Sequence, residues 1–200
     1  MTNNLVESIQ KNLGFAELHK IDPNTQAVKE SGSSQEKKDI GQAAIPAVLM
    51  GLYTYGNTEF GSEEIIRGNS STNWLDTFFG DKKDDAISKV TAYSGTTKEE
   101  AGQKMEQIAN EAVRLIREST PDSAKFSDVK AYVAQQRANI LVYLPAELQM
   151  SEIVNDNTLD DRTNKMEGPM SNSMHFIEKL FSGSTTEKYD RTKEDEEKRT

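Results

Sequence analysis

The chain has no cysteine among its 200 residues, which removes disulfides, thiolate nucleophiles and sulfur-ligated zinc together. Histidine is almost as scarce. The two present, His19 and His175, stand alone rather than in an i,i+4 metal-binding pair, so both are read as surface or boundary residues. Long apolar runs are missing as well. The greasiest stretch, residues 43–53, is interrupted by Pro46 and falls short of the ~20 residues that a membrane-spanning helix needs; it is expected to be a buried helix. A basic surplus is also absent: 33 acidic residues against 24 basic ones leave a net charge of −9. A field of that sign repels phosphate backbones and anionic lipid heads, so neither nucleic acid nor membrane is an expected partner. The amino-terminal residues lack a basic stretch followed by an apolar one, so no secretory signal is read and a cytoplasmic location is expected.

Sustained two-residue alternation is lacking too, and with it the signature of strands. What is present is helical spacing. Leu5, Ile9 and Leu13 recur at four-residue intervals, with Gly14 closing that helix and Phe15, Leu18 and Ile21 continuing its apolar side. Pro23 suits the first turn of a short following helix. Residues 55–81 are rich in Gly, Asn, Ser and Thr yet carry Phe60, Ile65, Ile66, Trp74, Leu75, Phe78 and Phe79. That content predicts short helices packed on the core, with Ser62 and Thr72 as caps. After Pro121, Phe126, Val129, Val133, Ile140, Leu141 and Leu144 mark an amphipathic helix that ends at Pro145, which opens a further turn through Leu148, Ile153 and Val154. A last short helix is expected around Met174, Phe176, Ile177, Leu180 and Phe181, followed by a disordered acidic, mixed-charge tail over 182–200.

Ser31-Gly32-Ser33-Ser34-Gln35-Glu36 recurs as Ser94-Gly95-Thr96-Thr97-Lys98-Glu99, an offset of 63. Each copy reads as a helix start: a glycine ends the preceding helix, Ser33 or Thr96 caps the next one, and Glu36 or Glu99 closes a capping box. The same offset pairs Ile45 with Ile108, Leu49 with Ala112, Leu52 with Leu115 and Tyr53 with Ile116. We read an internal duplication, with units over about 23–56 and 86–118. Pro46 stands opposite Ala109, so the first unit is expected to bend or break at Ile45 while the second runs straight from about Thr97 to Glu118. The fold class is therefore all-α: one helical domain over 1–181, built from two related helix–turn–helix units and a third helical element.

The chemistry of sites is thin. No Gly-x-Ser-x-Gly elbow and no phosphate-cradling glycine loop occur. Asp156, Thr158, Asp160 and Glu167 fall at positions 1, 3, 5 and 12 of a calcium-binding loop, but position 6, which requires glycine, is Asp161, so the stretch is read as an acidic connector rather than a metal site. Asp84-Asp85 and Glu99-Glu100 read as the favourable charges of helix first turns. Lys37-Lys38, Lys82-Lys83, Arg114 and Arg117 lie next to acids and read as solvated, self-compensating faces. Trp74, Phe78 and Phe79 read as core rather than as a stacking platform. No catalytic residue and no cofactor is assigned.

Residues 44–52, Ala-Ile-Pro-Ala-Val-Leu-Met-Gly-Leu, together with the Ser94-Gly95-Thr96-Thr97 turn and Ile140-Leu141-Val142-Tyr143-Leu144-Pro145-Ala146-Glu147-Leu148, resemble the YidB-like bacterial family of unknown function. The resemblance covers residues 31–154, without the glycine-rich runs of many members, and implies a helical fold and a bacterial origin; it carries no active residues. The function expected from these features is that of a non-catalytic scaffold or protein-binding module, offering a helix groove to a protein partner or to itself. The alternative is a hydrolase or carbohydrate-acting enzyme built on paired carboxylates.

Overall fold

A computed structural model describes residues 4–21, 39–68, 72–121 and 124–155. The acidic connector with Asp156, Thr158, Asp160 and Glu167, His175, the helix expected around Met174, the tail, and the first copy of the repeated turn at residues 31–36 all lie outside the described residues. Within them the chain is all-α. The helices are α1 (Leu5–Leu13), α2 (Ile40–Gly56), α3 (Glu59–Arg67), α4 (Trp74–Phe79), α5 (Lys83–Ser94), α6 (Lys98–Ser119), α7 (Phe126–Leu141) and α8 (Met150–Val154), with 3₁₀ turns at Gly80–Lys82 and Ala146–Leu148. No strand forms among the described residues. The Ile21 N–H donates to the Val142 carbonyl at 2.8 Å.

The centre of the bundle is α2, and its composition explains why. It holds no charged residue from Ile40 to Gly56. A helix apolar on every side has no face to turn to water and must be enclosed. Residues 41–52 are buried without interruption, and α2 touches every other α-helix of the described bundle, α6 and α7 most extensively. Ala43, Ala44 and Ala47 let neighbours approach closely, while Ile45, Leu49, Met50 and Leu52 supply volume; all seven are 1% exposed or less. Each of the larger side chains contributes on the order of 1.5–3 kcal/mol by leaving water.

Pro46 neither breaks this helix nor divides it: α2 runs unbroken from Ile40 to Gly56. Proline removes one backbone hydrogen bond in the interior. Packing on all sides outweighs that loss, because tertiary burial rather than local propensity stabilises most protein helices. The helix begins at Ile40, with the Asp39 carboxylate accepting from the Gly41 N–H at 2.6 Å.

In the second unit α6 runs from Lys98 to Ser119, as its stripe predicts, and Gly95 adopts the left-handed conformation (φ 68°) that ends α5. The cap is one residue later than read. Thr97, not Thr96, accepts from the backbone N–H three residues on, that of Glu100, at 3.2 Å, while the Thr96 hydroxyl pairs with that of Ser94. Ile45 and Ile108, and Leu49 and Ala112, are fully buried in both helices. The helices play different parts nonetheless: α6 keeps a charged outer face and α2 has none.

The short helices after α2 form as expected but on other caps. Thr58 caps α3 and Asn73 caps α4. Ser62 is instead a buried brace inside α3, its hydroxyl donating to the Gly56 carbonyl at 2.6 Å. Trp74, Leu75, Phe78 and Phe79 pack into the core.

Candidate functional site

Polar groups inside the bundle are few, and those present tie segments far apart in sequence. Gln42 on α2 is 5% exposed. Its side-chain oxygen accepts from the His19 N–H at 2.7 Å, and its amide donates to the carbonyls of His19 and Tyr143 at 3.0 and 2.9 Å. One side chain thereby fastens the segment after α1 and the turn after α7 to the start of α2. Gln136, 1% exposed on α7, accepts from the Leu5 N–H at 3.0 Å and so satisfies the first turn of α1. The Glu106 carboxylate on α6 accepts from the N–H groups of both Trp74 and Leu75 at 3.1 Å, a charge-assisted cap at the start of α4. All three serve backbone groups; the Leu5 N–H is buried and would cost about 1–3 kcal/mol if left unpaired, while the groups bonded by Gln42 and Glu106 are partly buried.

The charged residues singled out in the sequence are distributed in the same structural manner. Asp84 and Asp85 sit in the first turn of α5, and Glu99 and Glu100 in the first turn of α6. Lys83 pairs with Asp76, and Lys82 lies 3.5 Å from Asp85. Arg114 grips Glu111 through two bonds of 2.7 and 2.8 Å and also reaches Glu118, while Asn12 donates to Glu111 at 2.7 Å. The Arg114 bonds, chiefly, and then the Asn12 bond hold the Glu111 carboxyl below its ordinary value against an opposing push from burial. A general acid needs a shift in the opposite direction. Arg117 turns to the Gly68 carbonyl at 3.4 Å. His19 is exposed at its side chain and engaged through its backbone. Among the described residues no cluster of three acids or histidines is placed to hold a metal ion, and no helix is long and apolar enough to cross a membrane.

Burial also acts strongly on a tyrosine of α5. The Tyr93 hydroxyl on α5 is pushed up to about 12 by burial and, secondarily, by the charge of Glu147. Between pH 10 and that value the unfolded chain releases a proton that the folded one retains, so stability must fall as pH rises through this window. Tyr55 and Tyr143 are raised as well, both first by burial. Tyr93→Phe is therefore expected to lose less stability than the wild type on going from below to above pH 10 in urea titrations, and to remove the latest phase of the tyrosinate absorbance titration. Equal losses in the two proteins would contradict this placement.

The feature that sequence spacing missed is Phe60. Its neighbours in residues 55–81 pack inward, but Phe60, at the second position of α3, stands 67% exposed. It is not isolated from the core. Its ring meets Tyr55 edge-on at 6.5 Å and 85°, Tyr55 lies 5.7 Å from Phe78, and Phe78 lies 5.8 Å from Trp74. Four rings thus run from the surface into the interior, each in the tilted or edge-to-face geometry that aromatic pairs favour. Glu59 is exposed beside Phe60, and Glu63 and Glu64 follow on the same helix, paired with Arg67 at 3.3 and 2.7 Å. The signal available in the sequence was the Thr58 cap: it fixes Phe60 in the first turn of a short helix whose buried positions are Gly61, Ser62 and Ile65, which leaves Phe60 on the outer side.

Comparison with known proteins yields no counterpart: no family model, no curated protein and no solved structure matches this chain.

Proposed function

We propose that this chain is a non-catalytic protein-binding module whose contact point is the exposed aromatic at the start of α3. The observation that carries the reading is Phe60 itself, a large ring left 67% in water while braced from behind by Tyr55. A large aromatic side chain left in water at the surface is the type of residue that protein interfaces are enriched in. Glu59 next to it, and the net charge of −9, favour a protein partner with an apolar pocket bordered by basic groups over nucleic acid or an anionic membrane surface. A cytoplasmic setting and kinship with the YidB-like family belong to the same proposal. Of the motif residues that suggest this kinship, 44–52 lie in the buried stretch of α2, and 140–148 run from the end of α7 through the 3₁₀ turn Ala146–Leu148.

Phe60→Ala tests the reading. Truncating a two-thirds-exposed ring is expected to change folding stability by less than about 0.5 kcal/mol, yet to weaken partner binding by about 2 kcal/mol or more. A photo-reactive phenylalanine analogue at position 60, with the same analogue at the exposed Lys130 as control, identifies the partner in native extracts. Specific cross-links from position 60 that Phe60→Ala competitor fails to displace, but wild-type competitor does, are expected. Identical products from both positions would overturn the proposal.

A further inference from the structure

The five-residue helix α8 is bounded by unusual backbone. Gln149 before it (φ 45°) and Asn155 after it (φ 57°) are the non-glycine residues with positive φ among those described. Asparagine tolerates the left-handed region, whereas glutamine adopts it at a cost. Gln149 is also the single residue between the 3₁₀ turn Ala146–Leu148 and α8, so the connection has no slack.

Five residues are far too few to hold a helix alone. What keeps α8 in place is its seat. Met150, Ser151, Ile153 and Val154 are buried on α2 and α5. Lys89 of α5 adds polar fastening, donating to the Gln149 carbonyl and to the Glu152 carboxylate, both at 3.1 Å. The apolar contacts and the Lys89–Glu152 pair depend only on α8 reaching this seat. They are indifferent to which copy of the chain delivers it. The tight turn at Gln149, by contrast, is required only when α8 folds back onto its own chain.

We propose that α8 is an exchangeable element, so that two copies of this chain trade it and each seats its α8 on the α2 and α5 of the other. Gln149 is the hinge. Opening returns it to the extended region that glutamine favours and leaves the α8 contacts intact, so the strain of the closed turn is relieved in the dimer; short strained hinges favour this form of association. The occupant of the seat is a second α8 because the seat is already shaped to Met150, Ile153 and Val154 and carries the base that matches Glu152. This association is independent of Phe60, which lies on α3.

The test uses the full chain. Unlabelled and nitrogen-15-labelled copies are mixed, unfolded in urea, refolded together at high concentration and separated by size. The dimer is then treated with a zero-length carbodiimide cross-linker, for which the Lys89–Glu152 pair is already in reach. Exchange predicts that about half of the 89–152 linked peptides in the dimer join a light and a heavy segment, as random pairing requires. Gln149→Gly, which occupies the left-handed region freely, is expected to lower the dimer association constant on the order of tenfold. Absence of a dimer, a dimer whose 89–152 links are all of one isotope, or an association constant unchanged or raised in Gln149→Gly would overturn the proposal.

Discussion

Replacing Gly61 with alanine is expected to destabilise the protein by roughly 3 kcal/mol or more, although alanine is the better helix former. Two effects oppose each other at this position. Intrinsic propensity favours alanine over glycine in a helix by about 1 kcal/mol. Against that, a methyl group built on Gly61 would lie 2.0 Å from the Tyr55 carbonyl oxygen. The obstacle is backbone rather than a flexible side-chain tip, and it is tied down: the Tyr55 carbonyl accepts from the Thr58 N–H at 3.1 Å and from its hydroxyl at 2.7 Å. The Gly61 N–H in turn donates to that same hydroxyl at 2.9 Å. Relieving the clash therefore means opening the corner between α2 and α3 and loosening the Thr58 cap. The clash wins by magnitude. Urea unfolding of Gly61→Ala beside the wild type measures it, and a neutral or stabilising effect would show that the corner is looser than described.

Leu49→Ala is expected to cost about 2–5 kcal/mol. Leu49 is fully buried near the middle of α2, where it is surrounded by the other helices, so the space left behind has little freedom to collapse. The same substitution at Val142, which is 40% exposed, is expected to stay within about 0.5 kcal/mol. Thermal or urea denaturation of the two variants gives the contrast directly. Comparable losses at both positions would mean that α2 is not the enclosed element of the bundle.

Local features of this fold were legible in the sequence, and long-range ones were not. The apolar run at residues 43–53 identified a buried helix, the period of α6 gave its length almost to the residue, and Gly14 and Gly95 ended the helices that precede them. These are contacts within a turn or two, and spacing reports them. Of the bend or break expected at Ile45, the break does not occur, because the sequence shows the hydrogen bond lost at Pro46 and hides the packing on every side that outweighs it. Ser62 was misread as a cap for a related reason: a serine signals a local acceptor, whereas here its hydroxyl donates to Gly56 in the preceding helix. Gln42, Gln136 and Glu106 carried no signal at all. Their partners lie 23, 101, 131 and 32 residues away, and a lone glutamine in an apolar stretch does not declare which distant backbone it will satisfy.

The candidate site followed the same rule. The readings of Asp84-Asp85 and Glu99-Glu100 as first-turn charges and of Trp74, Phe78 and Phe79 as core rested on helical spacing and describe their positions in the bundle. Phe60 was grouped with the core residues because composition cannot tell the inner from the outer side of a nine-residue helix; only the position of the Thr58 cap could. The comparison of α2 with α6 divides in the same way. Matching stripes put equivalent residues of α2 and α6 in buried positions, while the surroundings differ, since α2 is enclosed and α6 faces water along one side.

Amide hydrogen exchange tests the central claim, that α2 is the enclosed axis of an all-α bundle, more directly than any substitution. If α2 touches every other helix and exposes none of residues 41–52, its amides exchange only when the whole molecule unfolds. They are then the slowest of the chain, with protection equal to the global stability from denaturant titration. Amides of α2 exchanging as fast as those on the outer faces of α3 or α7, at protection well below the global value, would contradict it.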